Sequence, residues 1–404
     1  MGSNFIPRHR PMQPIPFSQE GDRNHGVPAY QDTRDYLVHN HLDQSCYLFS
    51  AKQLGRTSRK FQALFPGEVS DAVKANPHPL VLNALWDSGV HTFDVASLGE
   101  MERVRRLLPF ARLHYNHPGR QRKATTLAHE RFKVRSYVVD DRAGLDQVLA
   151  LGSRGMEITV RFKLGHRSAV YDFGSKFGAG PEEAVALLEQ AKRQGVWTSL
   201  TFHPGSQCAD PLAYADHLAA ASQIAQKARV SLYRLNVGGG FPVAYERGSV
   251  RRVEDFFGTI RQGLDRYFAG ARPELLCEPG RALVASSVSL VAEVVHVRKN
   301  GDVFMNDGVY GGFQEQTIMK TPLPTRVWRA GRLLASPRAP RNIFGPTCDP
   351  LDRLSVPFSL PVDIQPGDGI EFGLMGAYGS ATTTCFNGIQ PGDYVSVQNG
   401  FTGC

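Results

Sequence analysis

A short apolar strand followed by an amphipathic helix recurs eight times along the middle of this chain. The helical stretches carry apolar residues at i, i+3 and i+4 spacing, clearest at 101–108, 182–194, 212–228 and 253–268. Eight such units over about 230 residues have the size of a closed (β/α)8 barrel. An open doubly wound sheet is the alternative, but eight consecutive units favour closure. The predicted barrel strands are 69–73, 92–93, 113–115, 136–139, 157–162, 198–202, 234–237 and 274–277.

The pattern changes on either side of this α/β barrel, which we assign to residues 55–285. Residues 1–30 lack periodicity and predict a flexible N-terminal arm, and 31–54 predict a segment that joins a second domain. Residues 286–404 combine alternating strand patterns with Pro and Gly turns, which predicts a mostly antiparallel β-domain. Strands are expected near 289–296, 303–306, 369–372 and 394–398, and residues 337–341 are expected to form a surface loop.

Composition excludes several classes of protein. The six cysteines show no CxxC pair, which argues against a zinc site or a dense disulfide framework. No apolar run approaches the roughly 20 residues that cross a bilayer, and no secretory signal is recognisable. The net charge of +8 is spread along the chain, so a nucleic-acid partner is not expected. We expect a cytoplasmic protein with no metal site.

Polar residues collect where the predicted strands end. Six of the eight strands end in such residues: Lys74, Asp94, Arg161, the run 203–206, the run 238–240 and the run 278–281. Each alone has an ordinary explanation, since a lysine after a strand is usually solvated and a glycine triplet is usually a turn. In an α/β barrel, however, the carboxyl ends of the strands surround one face, where catalytic groups lie. The sequence therefore predicts one site on that face.

This set of residues meets the needs of pyridoxal phosphate. The aldehyde of the cofactor forms a Schiff base with a lysine amine, for which Lys74 is the candidate. Its phosphate needs N–H donors and a cation, which the glycine triplet and Arg281 offer. A carboxylate such as Glu278 at the ring nitrogen favours the protonated ring, which accepts the electron pair left when a bond to Cα breaks.

These motifs give the chain a resemblance to the ornithine decarboxylase group of pyridoxal phosphate enzymes, which share the alanine-racemase-like fold type III. The resemblance runs from about Tyr47 to the end, and its motifs are specific in combination. They are AVKAN (72–76), FDVAS (93–97), KFGA (176–179), FHPGSQC (202–208), GGGFP (238–242), CEPGR (277–281), NDGVYGGF (306–313), FGPTCDPLD (344–352) and MGAYG (375–379).

The resemblance implies a role for each residue of the cofactor site. Lys74 would carry the cofactor, His203 would stack on its ring, and Glu278 would face its ring nitrogen. Asp94, Glu100 and Arg161 would hold the lysine and the ring in place. The phosphate would be bound by Ser206, Gly238, Gly239, Gly240, Gly280, Arg281 and Tyr378.

The resemblance also implies a homodimer whose active sites are shared. Cys348 would reach into the partner's site and return a proton to the substrate carbon, and Asp349 would hold the distal amine of the substrate. Tyr310 would line the substrate pocket. Glu278 favours decarboxylation over racemisation, because a carboxylate at the ring nitrogen promotes the protonated ring.

Two stretches depart from the family pattern. The family's acid for the substrate ammonium would fall on Met319, and Glu315, four residues earlier, is the candidate to replace it. The segment 326–341 is rich in arginine; such a segment is usually a solvated loop, but guanidinium groups also suit a substrate carboxylate or an acidic carrier protein. The pair Cys348-Asp349 favours the ornithine-like branch over diaminopimelate decarboxylases.

The sequence thus predicts a decarboxylase that converts a basic amino acid, L-ornithine or L-lysine first, to a diamine of the polyamine type. One alternative is the same chemistry on a carboxylate-bearing, diaminopimelate-like or acyl-carrier-linked amino acid. The alternative of another class is a non-catalytic regulatory homologue, which would be expected to have lost cofactor residues.

Overall fold

The structure, a computed structural model, describes residues 29–164, 176–245 and 250–402. Eight parallel strands close into a barrel, in which the first strand pairs with the last through Glu68 and Leu276. The predicted barrel is confirmed, and the predicted strand limits lie within two residues of the observed ones. The strands are β2 (Glu68–Ala72), β3 (Thr92–Val95), β4 (Arg112–Tyr115), β5 (Ser136–Val139), β6 (Glu157–Arg161), β7 (Trp197–Thr201), β8 (Arg234–Asn236) and β9 (Glu274–Cys277).

The helices of the repeat begin at local capping signals. Ser97 and Asp141 each accept the backbone N–H three residues on, which satisfies a donor that the first helical turn leaves free. Pro181 opens α7, where its missing N–H is not needed. The helices are α2 (Ala51–Leu64), α3 (Pro79–Asp87), α4 (Leu98–Leu107), α5 (Arg122–Glu130), α6 (Arg142–Leu149), α7 (Pro181–Arg193), α8 (Leu212–Lys227), α9 (Val253–Tyr267) and the short α10 (Gly280–Val284).

A buried ion pair crosses the N-terminal end of the barrel. Arg234, the first residue of β8, donates to Glu157 at 3.0 Å, and each side chain is about 10% exposed. The other carboxylate oxygen of Glu157 accepts the Ser199 hydroxyl at 2.7 Å. Residues at this end of a barrel serve stability, which leaves the opposite face for the site.

The second domain is a mostly antiparallel sheet with the strand order β13 (Arg332–Leu333), β12 (Thr325–Arg329), β17 (Gly369–Phe372), β10 (Val288–Val297), β1 (Cys46–Phe49) and β18 (Asp393–Ser396). Among the described residues, β1 is the strand that comes from before the barrel; it runs antiparallel to β10 and parallel to β18. The remaining strands of this domain are β11 (Val303–Met305), β14 (Arg338–Arg341), β15 (Ile343–Phe344) and β16 (Phe358–Pro361).

The prediction of a surface loop at 337–341 was wrong. Residues Arg338–Arg341 form β14, which pairs with β16 in a separate two-stranded ribbon. Pro340 lacks the N–H of a central strand, but a strand with one neighbour does not need it. The basic segment therefore includes strands as well as turns.

Helix α1 (Thr33–His39) attaches the start of the described chain to this sheet. The Thr33 hydroxyl donates to Glu371 at 2.6 Å, and Trp328 donates to the other oxygen of that fully buried carboxylate at 3.0 Å. Most of the arm predicted at 1–30 lies outside the described residues. Within the described ranges, no helix has the length and apolar character needed to cross a bilayer.

Candidate active site

Lys74 lies just beyond β2, in a single 3₁₀ turn. Its ammonium donates to Asp94 of β3 at 3.0 Å; the Lys74 side chain is half-exposed, whereas that of Asp94 is 3% exposed. Burial acts to lower the pKa of Lys74, but the negative charges nearby, first that of Asp94, outweigh it and raise the pKa above its ordinary value. The structure thus brings together two residues that were predicted for the same face of the barrel, a strand-end lysine and a strand-end acid.

Two more acids lie close to this pair. Asp71 is fully buried, and neither of its carboxylate oxygens has a hydrogen-bond partner among the described residues. Burial, and then the charge of Asp94, raise the pKa of Asp71 to about 8, so it is mainly protonated at neutral pH. Glu100 accepts the Ala96 N–H at 2.6 Å, and burial raises its pKa. Asp94 is thus the acid that pairs with the lysine.

Glu278 follows β9 and is held through one oxygen. That oxygen accepts the Asn236 amide at 2.6 Å and the Asn116 amide as well. The side-chain oxygen Oδ1 of Asn236 accepts the Gly238 N–H at 2.8 Å, and this bond orients the side-chain NH2 group of Asn236 toward Glu278. Burial, and then Asp94, raise the pKa of Glu278 to about 8. The carboxyl can therefore hold or release a proton near neutral pH.

His203 packs against the glycine turn that follows β8. The Gly205 N–H donates to Nδ1 of His203 at 3.0 Å, and burial lowers the pKa of the ring well below its ordinary value. A Cβ on Gly239 or Gly240 would come within 3.4 Å of the imidazole and within 2.4 Å of a carbonyl oxygen. Only glycine fits between this neutral ring and the neighbouring backbone.

The remaining predicted cofactor residues lie on the same face. Ser206 is partly exposed in the loop after β7. Arg161 ends β6, and its guanidinium carbon lies 5.7 Å from the ring centroid of Phe177. Burial lowers the pKa of Arg161, and the charge of Glu278 opposes this. A Cβ on Gly280 would lie 2.9 Å from that of Ala72, so glycine lets α10 pack on β2.

Arg281 is buried and bound on several sides. Its Nη1 donates to the Tyr245 hydroxyl at 2.9 Å and to Glu315 at 2.6 Å, and its Nη2 donates to the second oxygen of Glu315. Its guanidinium carbon lies 4.9 Å from the ring centroid of Tyr378. Its Nε is buried and has no partner among the described residues. Glu315, predicted to bind substrate, thus pairs with the predicted phosphate ligand.

The donor set fits pyridoxal phosphate. It offers an amine, a buried carboxyl, a neutral imidazole, and a turn that admits only glycine. The unpartnered Nε–H of Arg281 is a buried donor that needs an acceptor, and a phosphate oxygen is a suitable one.

A second group of predicted residues lies in the β-domain. The Tyr310 hydroxyl donates to Asp349 at 2.5 Å, and this bond lowers the pKa of Asp349. The exposed Cys348 is 3.5 Å from the Asn387 side-chain oxygen. Asp352 joins the two loops, because its oxygens accept N–H groups from Val309 at 2.8 Å and Thr347 at 3.0 Å. The structure brings the three predicted residues to neighbouring loops at the surface.

The arginine-rich segment has partners within the chain. Arg329 pairs with the buried Asp368 at 2.8 Å, and Arg326 donates to the backbone of Thr402. Met319, at the family's acid position, is buried. The contacts of Arg329 with Asp368 and of Arg326 with Thr402 do not support a carboxylate receptor formed by these two arginines.

Sequence reasoning missed four residues of the site. Asn116 and Asn236 stand at strand ends like the predicted residues, but a neutral amide carries little functional signal. Asp71 lies inside a strand, where an acid is unusual and could have drawn notice. Tyr245 lies in a loop without periodicity, and no pattern in the sequence connects it to Arg281.

The fold and the site together define a pyridoxal phosphate enzyme built on a barrel and a β-domain. The family model described as "Pyridoxal-dependent decarboxylase, pyridoxal binding domain" matches residues 51–285. The chain belongs to this family of pyridoxal-dependent decarboxylases. It is accordingly a carbon–carbon lyase that uses pyridoxal phosphate.

Curated and solved relatives agree with this assignment. The chain is 31% identical over 326 residues to a lysine/ornithine decarboxylase of Selenomonas ruminantium, covering 79% of this chain and 80% of that one. The arginine decarboxylase of Paramecium bursaria Chlorella virus superposes with a TM-score of 0.80 at 25% identity, covering 90% and 98% of the two chains. A lysine/ornithine decarboxylase from Vibrio vulnificus, solved with cadaverine, gives 0.78 at 26% identity, with 91% and 100% covered.

Proposed function

We propose that this decarboxylase acts on a free basic amino acid, L-ornithine or L-lysine first, and releases CO2 and a diamine. The observation that carries the proposal is the pairing of Lys74 with Asp94 on the face where Glu278 and Arg281 also lie. The relatives named for lysine, ornithine and arginine support a substrate with a distal cation.

Bound pyridoxal phosphate supplies the electron sink for the pair of electrons that remains when the carboxylate leaves the α-carbon. Lys74 would hold the cofactor, and Asp94 keeps the lysine nitrogen in place at 3.0 Å. Glu278 would hold the proton at the ring nitrogen, and the two amides on its one oxygen leave the other oxygen for that task. The neutral His203 offers a flat, uncharged face.

The distal end of the substrate would meet Asp349 of the partner subunit in a homodimer. The bond from Tyr310 holds that carboxylate ionised and oriented, so it can bind an ammonium group. Cys348, on the same exposed loop, would return a proton from its thiol to the α-carbon after CO2 has left. The exposure of this loop suits residues that complete a neighbour's site.

The first test is chemical. Purified protein reduced with borohydride in the presence of pyridoxal phosphate should carry the label on Lys74 in peptide mass spectrometry. Measured CO2 and diamine release should be fastest with ornithine or lysine in a panel of amino acids that includes diaminopimelate and a carrier-linked substrate. Label on another residue, or no turnover of any basic amino acid, would overturn the proposal.

Complementation tests the shared site. Lys74→Ala and Cys348→Ala variants, each nearly inactive alone, should regain about a quarter of wild-type activity when they are mixed and allowed to exchange subunits, because half the dimers are mixed and each has one intact site. The matched control is Cys385→Ala, a second exposed cysteine, which should remain active alone. Absence of recovery despite subunit exchange would place Cys348 outside the partner's site.

The alternatives are distinguished by the same measurements. A regulatory homologue without activity would be expected to lack the candidate cofactor residues, yet the sequence retains Lys74, His203 and Glu278. The buried Met319 keeps the carrier-linked or otherwise modified amino acid in the substrate panel, because the family's acid is missing there. We also propose a reducing compartment such as the cytoplasm, since Cys46, Cys208, Cys277, Cys348 and Cys385 are unpaired in the described chain.

A further inference from the structure

Arg281 and Glu315 form a contact between the barrel and the β-domain. Arg281 lies in α10 and is 6% exposed, and Glu315 directly precedes the four-residue helix α11 (Gln316–Met319) and is 17% exposed. Both oxygens of the carboxylate are used, one on each terminal nitrogen of the guanidinium. A bidentate pair of this kind fixes the plane of the guanidinium as well as its position.

Three of the five N–H groups of the Arg281 guanidinium are used by Tyr245 and Glu315. Tyr245 shares Nη1 at 2.9 Å, and the ring of Tyr378 covers the guanidinium at 4.9 Å. The Nε–H is buried without a partner among the described residues. Nη2 keeps a second N–H, but Nε is the guanidinium nitrogen that has no partner and can donate to an anion.

We propose that Glu315 is a positioning residue for the cofactor phosphate: it holds Arg281 by its two terminal nitrogens so that the Nε–H donates to the phosphate. This inference rests on the proposed function, because it requires pyridoxal phosphate at this site. It takes Glu315 out of the substrate pocket and assigns it to the cofactor.

Charge repulsion and the orientation of Arg281 predict opposite effects on phosphate binding when the Glu315 charge is removed. Glu315 is an anion close to the site of another anion, so charge repulsion alone would make its removal strengthen phosphate binding. If orientation is the larger effect, removal weakens binding instead. Since hydrogen bonds to charged groups contribute enough to change an equilibrium about 10- to 100-fold, we expect Glu315→Gln to raise the dissociation constant of the cofactor by that factor.

The experiment is a titration of cofactor-free protein with pyridoxal phosphate, followed by visible absorbance and tryptophan fluorescence. The variants are Glu315→Gln, Glu315→Asp, and the double variant Gln314→Glu/Glu315→Gln, which moves the acid by one residue without changing the net charge. Glu315→Asp should bind more tightly than Glu315→Gln, and the double variant should remain weak. When Arg281 is already replaced by Ala, Glu315→Gln should change the dissociation constant of the cofactor little further.

Three outcomes would overturn the inference. They are unchanged or tighter binding by Glu315→Gln, full rescue by the double variant, or an increased KM for substrate at saturating cofactor with an unchanged cofactor dissociation constant. The last result would return Glu315 to the substrate pocket. Failure of the proposed function is distinguishable, because absence of turnover with every basic amino acid would leave the cofactor titrations of the wild-type protein and the Glu315 variants readable.

Discussion

Removal of the Asp94 charge should change the reactivity of Lys74 in a way that can be calculated. At 3.0 Å and an effective dielectric constant of about 20, two unit charges interact by about 5 kcal/mol. The half-exposed ammonium is screened by solvent, so we expect only about one to two pKa units to survive. Because Asp94 raises the pKa of Lys74, Asp94→Asn should lower it. The neutral, nucleophilic fraction of the amine at pH 8 should then rise about 10- to 100-fold.

The assay uses cofactor-free protein. Mild reductive methylation with ¹³C-formaldehyde labels Lys74, and the methyl resonance is titrated by NMR, with Lys74→Arg used to identify the signal. Glu102→Gln is the matched control: it removes the charge of an exposed acid that pairs with Arg131 at 2.9 Å rather than with Lys74, so it should leave the Lys74 titration nearly unchanged. An unchanged midpoint in Asp94→Asn, or equal shifts in both variants, would refute the reasoning.

Three further predictions concern the barrel, the glycine turn and the substrate end. Glu157→Gln removes the charged partner of the buried Arg234 and should lower the free energy of unfolding by about 3–5 kcal/mol. A loss below about 1 kcal/mol, measured by urea unfolding, would show that the pair does not contribute as a buried ion pair. Gly240→Ala places a Cβ 2.2 Å from the Gly205 oxygen and should abolish cofactor binding in an absorbance titration. The control Gly152→Ala is also at positive φ but has open space around its Cβ, so this variant should still bind the cofactor. Tyr310→Phe removes the bond that lowers the pKa of Asp349, so the acid limb of the pH profile of kcat/KM should move to higher pH; an unmoved limb would exclude Asp349 as the substrate's acid.

The barrel was predictable because its signal is local. Each strand is a short apolar run and each helix an amphipathic stretch, so eight repeats could be counted along the chain. The ends of the strands then made Lys74, Asp94 and Glu278 candidates for one site, since a closed barrel brings all its carboxyl ends to one face.

What could not be predicted depends on contacts between distant residues. Glu315 lies 34 positions from Arg281 and in the other domain, so its sequence neighbourhood suggested a substrate ligand. The segment Arg338–Arg341 has charges and a proline typical of a loop, and only the facing strand β16 makes it a strand. The Asn116 amide acquires its importance from Glu278, which follows 162 residues later.

The position of β1 between β10 and β18 has a consequence for the order in which the molecule is assembled. Among the strands of the sheet, β1 leaves the ribosome before the barrel does. It cannot pair with β10 or β18 until the whole barrel has been synthesised. Arg281 comes from the barrel, whereas Glu315 and Tyr378 come from the later domain. The phosphate end of the cofactor site would therefore be completed last, and a nascent barrel would acquire its full affinity for pyridoxal phosphate only after the sheet has closed around its earliest strand.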